Sequence, residues 1–363
     1  MGSKSMKSLL VAVFSFIMLS FSNTLFAQEK PAEHGTSEEK FDPTKEIMGH
    51  VQDAYEFHFF SIGDLHATIH LPVILYSPQK GFSAFSSARF GEEGEKEYDG
   101  YKLVDGKNIV PVEEGVSVYD FSLTKNVVQM FIALTVLVLL MTGIAKKYRN
   151  GYGITSAPSG WQNALEPVIT FVRDDVAKVN LGNRWGKYMP YLLTVFFFIL
   201  INSLFGMLPG SANVTGNIAF TMVLGLISLI VILISTTGHF WKHIFWPPGV
   251  PFLVKVILVP VEVAGVFIIK PAALIIRLFA NMVAGHIIIL SFISLIFIFG
   301  AMSKIAGWGF SPVSILFTVF IYLIEILVAF IQAFIFTNLT AIFIGQGFEG
   351  SDHDPRHGSE STL

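Results

Sequence analysis

Hydrophobic and polar positions fall into three regimes along the chain. Residues 1–27 carry Lys4 and Lys7, then an apolar run from 9 to 19, then small residues alternating with larger ones up to Ala27. That is the layout of a secretory signal peptide cleaved after Ala27; an uncleaved anchor helix is the other reading. Residues 28–122 open with a Glu-, Lys- and Pro-rich stretch of disordered composition. They then change to His58-Phe-Phe-Ser-Ile and Ala67-Thr-Ile-His-Leu-Pro-Val-Ile-Leu-Tyr76, which predict strands of a small exported domain. Between Tyr101-Lys-Leu and Asn108-Ile-Val-Pro-Val, the Asp-Gly pair of Val104-Asp-Gly-Lys107 predicts a tight hairpin turn, because both central residues want positive φ.

From residue 123 the pattern is dominated by apolar runs. A helix needs about 20 apolar residues to cross the hydrocarbon, which predicts spans over 126–145, 188–207 and 217–237. Residues 162–179 mix apolar positions with Glu166, Arg173, Asp174, Asp175 and Lys178 at helical spacing, which predicts an amphipathic helix on the membrane surface. Residues 251–300 and 311–347 are apolar for 50 and 37 residues, more than one perpendicular crossing consumes. A hairpin of two long, strongly inclined helices turning between Lys304 and Pro312 accounts for both lengths. The basic clusters after the first span and before the second, together with Lys242, fall on one side, while the loop 208–216 is uncharged. The positive-inside rule then puts residues 28–122 in the periplasm, and Lys146, Lys187, Lys242, the amphipathic helix and the tail 349–363 in the cytoplasm.

The fold class expected is thus an all-α polytopic membrane domain over 123–348, with about five embedded helices including the tilted hairpin, preceded by a small β-containing domain. Composition agrees: 52% of residues are hydrophobic, 14% are charged and the mean hydropathy is +0.61. The absence of cysteine removes disulfides, thiolate metal sites and thiol nucleophiles, and the near-neutral charge carries no nucleic-acid signal. His58, His66 and His70 lack a carboxylate or cysteine to complete a recognisable metal set, and no cofactor is expected.

Candidate chemistry lies in the last two helices. Between residues 188 and 348 the only formally charged side chains are Lys242, Lys255, Glu262, Lys270, Arg277, Lys304 and Glu325. An arginine in mid-span costs from about 2.5 to about 17 kcal/mol depending on the method, so Arg277 is a functional-site candidate by its position alone. At 100° per residue Lys270, Asn281 and Glu262 lie about 20°, 40° and 60° from Arg277, on one stripe, with His286 on roughly the opposite side. Glu325 and Gln332, seven apart, align on the second helix. A fixed cation between titratable groups suits a proton path: His and Glu relay protons, and an arginine that does not deprotonate interrupts the relay. The same charge would favour the ionised form of a carboxylate carried past it on a partner, and this chain has no such moving carboxylate. An ion-coupled secondary transporter is the alternative class, but neither internal repeats nor interrupted helices around a pocket are found. Asn281 and Gln332 also suit plain interhelical hydrogen bonding.

The segment Leu274-Ile-Ile-Arg-Leu-Phe-Ala-Asn-Met-Val-Ala-Gly-His286, with Glu325 and Gln332-Ala-Phe-Ile-Phe336, resembles subunit a of the F-type ATP synthase, and the likeness extends over about 122–347. The resemblance implies that Arg277 is the stator arginine facing the carboxylates of a ring of c subunits, with Asn281 and Gln332 beside it. It places Glu262 in a cytoplasmic half-channel, His286 and Glu325 in the opposite one, and Asn213 near the latter's mouth. Many bacterial members carry the acid and the histidine of that half-channel in the exchanged order, which suggests that the two act as a pair. Implied partners are the c-ring, the b-subunit peripheral stalk, the remaining ATP synthase subunits, membrane lipid and the transported proton. No phosphate-binding loop is present, so nucleotide chemistry is expected elsewhere in the complex.

Overall fold

The structure is a computed structural model that describes residues 53–62, 65–91, 96–104, 108–113, 115–152, 160–208, 210–246 and 251–348. The expected signal peptide, the acidic opening of residues 28–52, the Asp-Gly turn and the tail 349–363 lie outside these residues.

Among the described residues, seven short strands precede the helices. β1 (Glu56–Ile62) and β2 (Leu65–His70) form an antiparallel hairpin with an irregularity between His58 and Phe60. β3 (Pro72–Ser77) lies between β4 (Gly81–Ser86) and β7 (Tyr119–Asp120), and β5 (Tyr101–Val104) pairs with β6 (Asn108–Pro111). Period-2 alternation along β3 buries Val73, Leu75 and Ser77, and the two apolar ones join Tyr55, Phe90, Tyr101 and Ile109 in a small core. The β5–β6 register pairs Val104 with Asn108, so three residues separate the strands, one more than a two-residue Asp-Gly turn would leave. His70 Nδ1 lies 3.3 Å from Glu56 Oε2 across the first hairpin.

The helices follow. α1 (Lys125–Arg149) leads to α2 (Trp161–Phe171), which continues as a π-helical stretch Val172–Lys178 and a last turn Val179–Leu181. α2 is amphipathic, as its charge spacing predicts; Asp174 pairs with both Arg173 and Lys178 at 2.7 Å. α3 (Trp185–Gly206) and α4 (Ile218–Ser235) cover the second and third expected spans. α5 (Gly238–Phe245) is a short helix that the apolar pattern does not predict. α6 (Phe252–Ala264), a π turn Gly265–Ile269 and α7 (Lys270–Met302) form one continuous helical rod, and α8 (Lys304–Gln346) returns along it. Pro271 supplies a reason for the widened turn: it has no N–H, and its ring would meet the carbonyl four residues back. Among the described residues, five segments are long and apolar enough to cross a membrane. At about 1.5 Å per residue α7 alone is about 50 Å long and α8 about 65 Å, against roughly 30 Å of hydrocarbon.

The hairpin turns at Ser303, not over 304–312, and α8 runs through Pro312. One extended residue suffices because Ser303 Oγ caps the Ala306 N–H at 3.0 Å and two glycines let the arms touch. A Cβ on Gly307 would sit 2.7 Å from Gly300 Cα. Phe299 packs on Phe310 and Phe292 stacks against Phe317, which extends the antiparallel match along the arms. The main core joins α3 to α8 and α7 through Leu192, Phe196, Ile199, Leu278, Ala333, Phe336 and Ile344.

The bundle has two distinct ends. At one, β7 runs into α1 and the loop 210–217 packs beside it. At the other, the close of α8 meets the ends of α2 and α4: Gly345 lies against the Asn180 carbonyl, Thr237 N–H donates to Gly347 O at 3.0 Å, and Arg184 covers the Phe348 ring.

Candidate proton-handling site

The α7–α8 pair sets the level of each candidate residue. Gly285 lies against Glu325 and Lys270 against Gln346, so the antiparallel register puts Gln332 level with residues 278–284, within about two turns of Arg277. Along the α6–α7 rod Glu262 precedes Arg277 by 15 residues and His286 follows it by nine, roughly 22 and 14 Å along the axis. Arg277 therefore stands between two groups of polar side chains.

Arg277 and Asn281 are exposed on the open face of α7, together with Ala273, Ile276, Ala280, Ala284 and Ile288. Among the described residues Arg277 has no hydrogen-bond or ion-pair partner. The small side chains leave the guanidinium standing above a shallow apolar face. The expected single stripe is divided in use: Lys270 is half-buried, donates to Gln346 Oε1 at 2.9 Å and lies over the Phe343 ring, while Glu262 is half-buried with Oε2 unpartnered. The π turn accounts for their staying near one another in angle, since one extra residue between Glu262 and Lys270 brings Glu262 round to about 40° on the same side of Arg277 as Lys270 and Asn281.

On the other side of Arg277, Glu325 is 3% exposed and neither carboxylate oxygen has a protein partner; His286 Nε2 is likewise buried and unpartnered. The two do not hydrogen-bond each other. Glu325 fits against α7 only because Gly285 has no side chain: a Cβ there would come within 2.8 Å of Glu325 Cδ. Gln332 is buried in the interface with α7.

Asn213 lies apart from these, at the strand-bearing end. Its Oδ1 accepts from Gly216 N–H at 2.9 Å, capping a single turn Val214–Gly216 that packs on α1, α3, α4 and α7, and its Nδ2 has no partner. Sequence reasoning missed polar residues around it. Asn202 Oδ1, Ser203 Oγ and Thr215 Oγ1 are buried without partners, and Asn202 and Ser203 sit one turn before Gly206, which touches Asn213. Their signal was available as two adjacent polar residues inside the apolar run of α3. Among the described residues no three His, Asp or Glu side chains converge as a metal site.

Comparison with known proteins agrees with this architecture. The family model of the ATP synthase A chain matches residues 127–345, and a domain of unknown function, DUF8433, matches 46–129, the strand region and the start of α1. The chain is 45% identical to ATP synthase subunit a of Chloroherpeton thalassium over 246 residues, 66% of this chain and 71% of that protein. It is 43% identical over 241 residues to the subunit a of Chlorobium phaeobacteroides strain BS1, covering 65% and 69%. For the subunit a of Myxococcus xanthus the identity is 40% over 247 residues, covering 66% and 78%. With more than half of its length matched and its helices long enough to span a bilayer, the chain belongs to the ATP synthase A chain family, the subunit a of the membrane sector of ATP synthase.

Proposed function

We propose that this chain is the proton-conducting stator of the membrane sector, with two offset half-channels that meet a rotating ring of c subunits at Arg277. The strand domain stands in the periplasm and the close of α8 in the cytoplasm, the orientation favoured by the basic residues Lys146, Lys187 and Lys242. Protons enter past Asn213 and reach Glu325 and His286, which neutralise a ring carboxylate. That carboxylate, now uncharged, turns through lipid. After nearly a full turn it reaches the other half-channel near Glu262 and Lys270, loses its proton there, and passes Arg277, beside Asn281 and Gln332, as an anion. Arg277 favours that ionised form and blocks a direct proton leak between the half-channels, because a guanidinium keeps its own proton.

One observation carries this reading: an unpaired arginine on an open apolar face, with buried polar atoms lacking protein partners to either side along the same rod. Such atoms cost about 1–3 kcal/mol each if left unmet, so hydration or a partner subunit must satisfy them. The c-ring would cover the open face, and a b-subunit stalk would hold the chain against the torque of the remaining subunits. Nucleotide chemistry belongs to those other subunits.

The test is ATP-driven acidification of inverted membrane vesicles carrying Arg277→Ala, with immunoblots to establish that the complex is assembled. Loss of pumping with assembly intact is the expected result. Unchanged pumping would overturn the reading.

A further inference from the structure

The first turn of α1 does not cap itself. The leading N–H groups of any helix lack intrahelical partners, and Thr124 at the N-cap makes no side-chain capping bond. The strand domain takes these donors instead. Lys125 N–H donates to Ala54 O at 2.9 Å, and Asn126 N–H donates to Asp53 Oδ1 at 3.2 Å. The Asp53 carboxylate also faces the positive end of the helix dipole. Further bonds fasten the approach to α1 onto β3: Phe121 N–H donates to Ile74 O at 2.9 Å and Leu123 N–H to Pro72 O at 3.3 Å.

One turn further along, Gln129 is 4% exposed and grips a single residue of the distant loop from both sides. Its Oε1 accepts from Ala212 N–H at 2.7 Å, and its Nε2 donates to Ala212 O. The carboxamide thus serves Ala212 as a neighbouring strand would. The next residue is Asn213, itself 4% exposed, whose turn is wedged against α7, the helix of His286. Around this turn lie the unpartnered polar atoms of Asn202, Ser203, Asn213 and Thr215. A small shift of the Ala212–Asn213 peptide would re-aim Asn213 and Thr215 together against the α3 pair.

We propose that the strand domain and the first turn of α1 form a brace for the proton inlet, and that Gln129 is the positioning residue at its joint. This rests on the reading of Asn213 as part of the inlet. The strand region then has a mechanical role, since it holds α1, α1 holds the loop through Gln129, and the loop presents the polar atoms that lead toward α7. Gln129 itself need not touch the proton.

The test uses the complete ATP synthase in proteoliposomes, with ATP synthesis driven by a proton gradient and the pH varied on the strand-domain side. Gln129→Leu removes both bonds at similar volume, and the assembled complex should be slower by about tenfold. Gln129→Glu tests the geometry. A protonated carboxyl offers one donor and one acceptor, as the amide does, whereas a carboxylate offers no donor and turns an anion toward Ala212 O. Burial at this position raises the carboxyl above the ordinary Glu value, so that variant should approach the unmodified rate at the acid end of the range and fall away as the carboxyl ionises, more steeply than the unmodified complex. Asp53→Ala should slow synthesis in the same direction by a smaller factor, and Asp53→Asn should restore it. Normal synthesis by Gln129→Leu, or an unmodified pH profile in Gln129→Glu, overturns the brace. If Gln129→Leu does not assemble, the Gln129→Glu profile decides. Absence of proton-coupled synthesis in the unmodified complex would overturn the inlet reading itself, which keeps the two failures apart.

Discussion

Adding one methyl group to Gly285 should disturb proton transfer without unfolding the helix. Alanine is the better helix former by about 1 kcal/mol, so α7 gains locally from Gly285→Ala. The difficulty is across the interface. The new Cβ would stand 2.8 Å from Glu325 Cδ, and closer still to Oε1, where carbon atoms normally keep about 3.5–4.0 Å. The carboxylate must therefore retreat by about an ångström, and overpacking of this kind costs about 1–3 kcal/mol. If that cost falls on the state in which Glu325 passes its proton, flux drops by about 5- to 150-fold. ATP-driven acidification and gradient-driven ATP synthesis in assembled complexes would read the drop. Glu325→Asp shortens the side chain by one methylene, so the double variant should recover part of the loss; the non-additivity measures the contact. An unmodified rate in Gly285→Ala, or a double variant whose losses simply multiply, would refute the assignment of Glu325 and its fit against α7.

The hairpin arms supply a second prediction. Gly307→Ala should lower the thermal stability of the purified protein by about 1–3 kcal/mol, because the neighbour it meets is backbone, whereas Gly309→Ala meets open space and should not; equal shifts would count against the tight turn. A third concerns Tyr55, which donates a hydrogen bond to Asp120. Burial first, and the bond to Asp120 second, push its phenol well above the ordinary tyrosine value. The folded domain thus holds this proton more tightly than the unfolded chain does, so its stabilisation is complete below about pH 10 and fades as the pH rises further. Hydrogen exchange of the strand residues should show alkaline loosening in the unmodified chain and a flatter response in Tyr55→Phe; identical alkaline profiles would remove Tyr55 from the cause.

Length and periodicity made much of the membrane architecture legible. Spans near 126–145, 188–207 and 217–237 needed only the count of apolar residues, and two runs too long for a perpendicular crossing implied an inclined hairpin. Its turn was misjudged because Lys304 and Pro312 look like breakers, while the real determinant is a contact between Gly300 and Gly307 that no local pattern displays. α5 escaped because eight residues mixing aromatic and polar side chains satisfy neither the length of a span nor a long amphipathic repeat. The candidate charges were visible for the opposite reason: in an apolar run an arginine or glutamate stands out at once. Their surroundings were not. Gln129 and Ala212 are 83 residues apart, and the room that Gly285 leaves for Glu325 exists only once two helices are packed.

The borrowed cap on α1 also bears on biogenesis. A membrane helix whose first donors are met by Asp53 and Ala54 cannot complete its leading turn until those residues have reached the same side of the bilayer and the strands have closed around them. In the proposed orientation, export of the preceding segment, folding of the strands and final seating of α1 would be linked in time. In that orientation, a chain stalled before export would leave the leading amide donors of α1 without these partners.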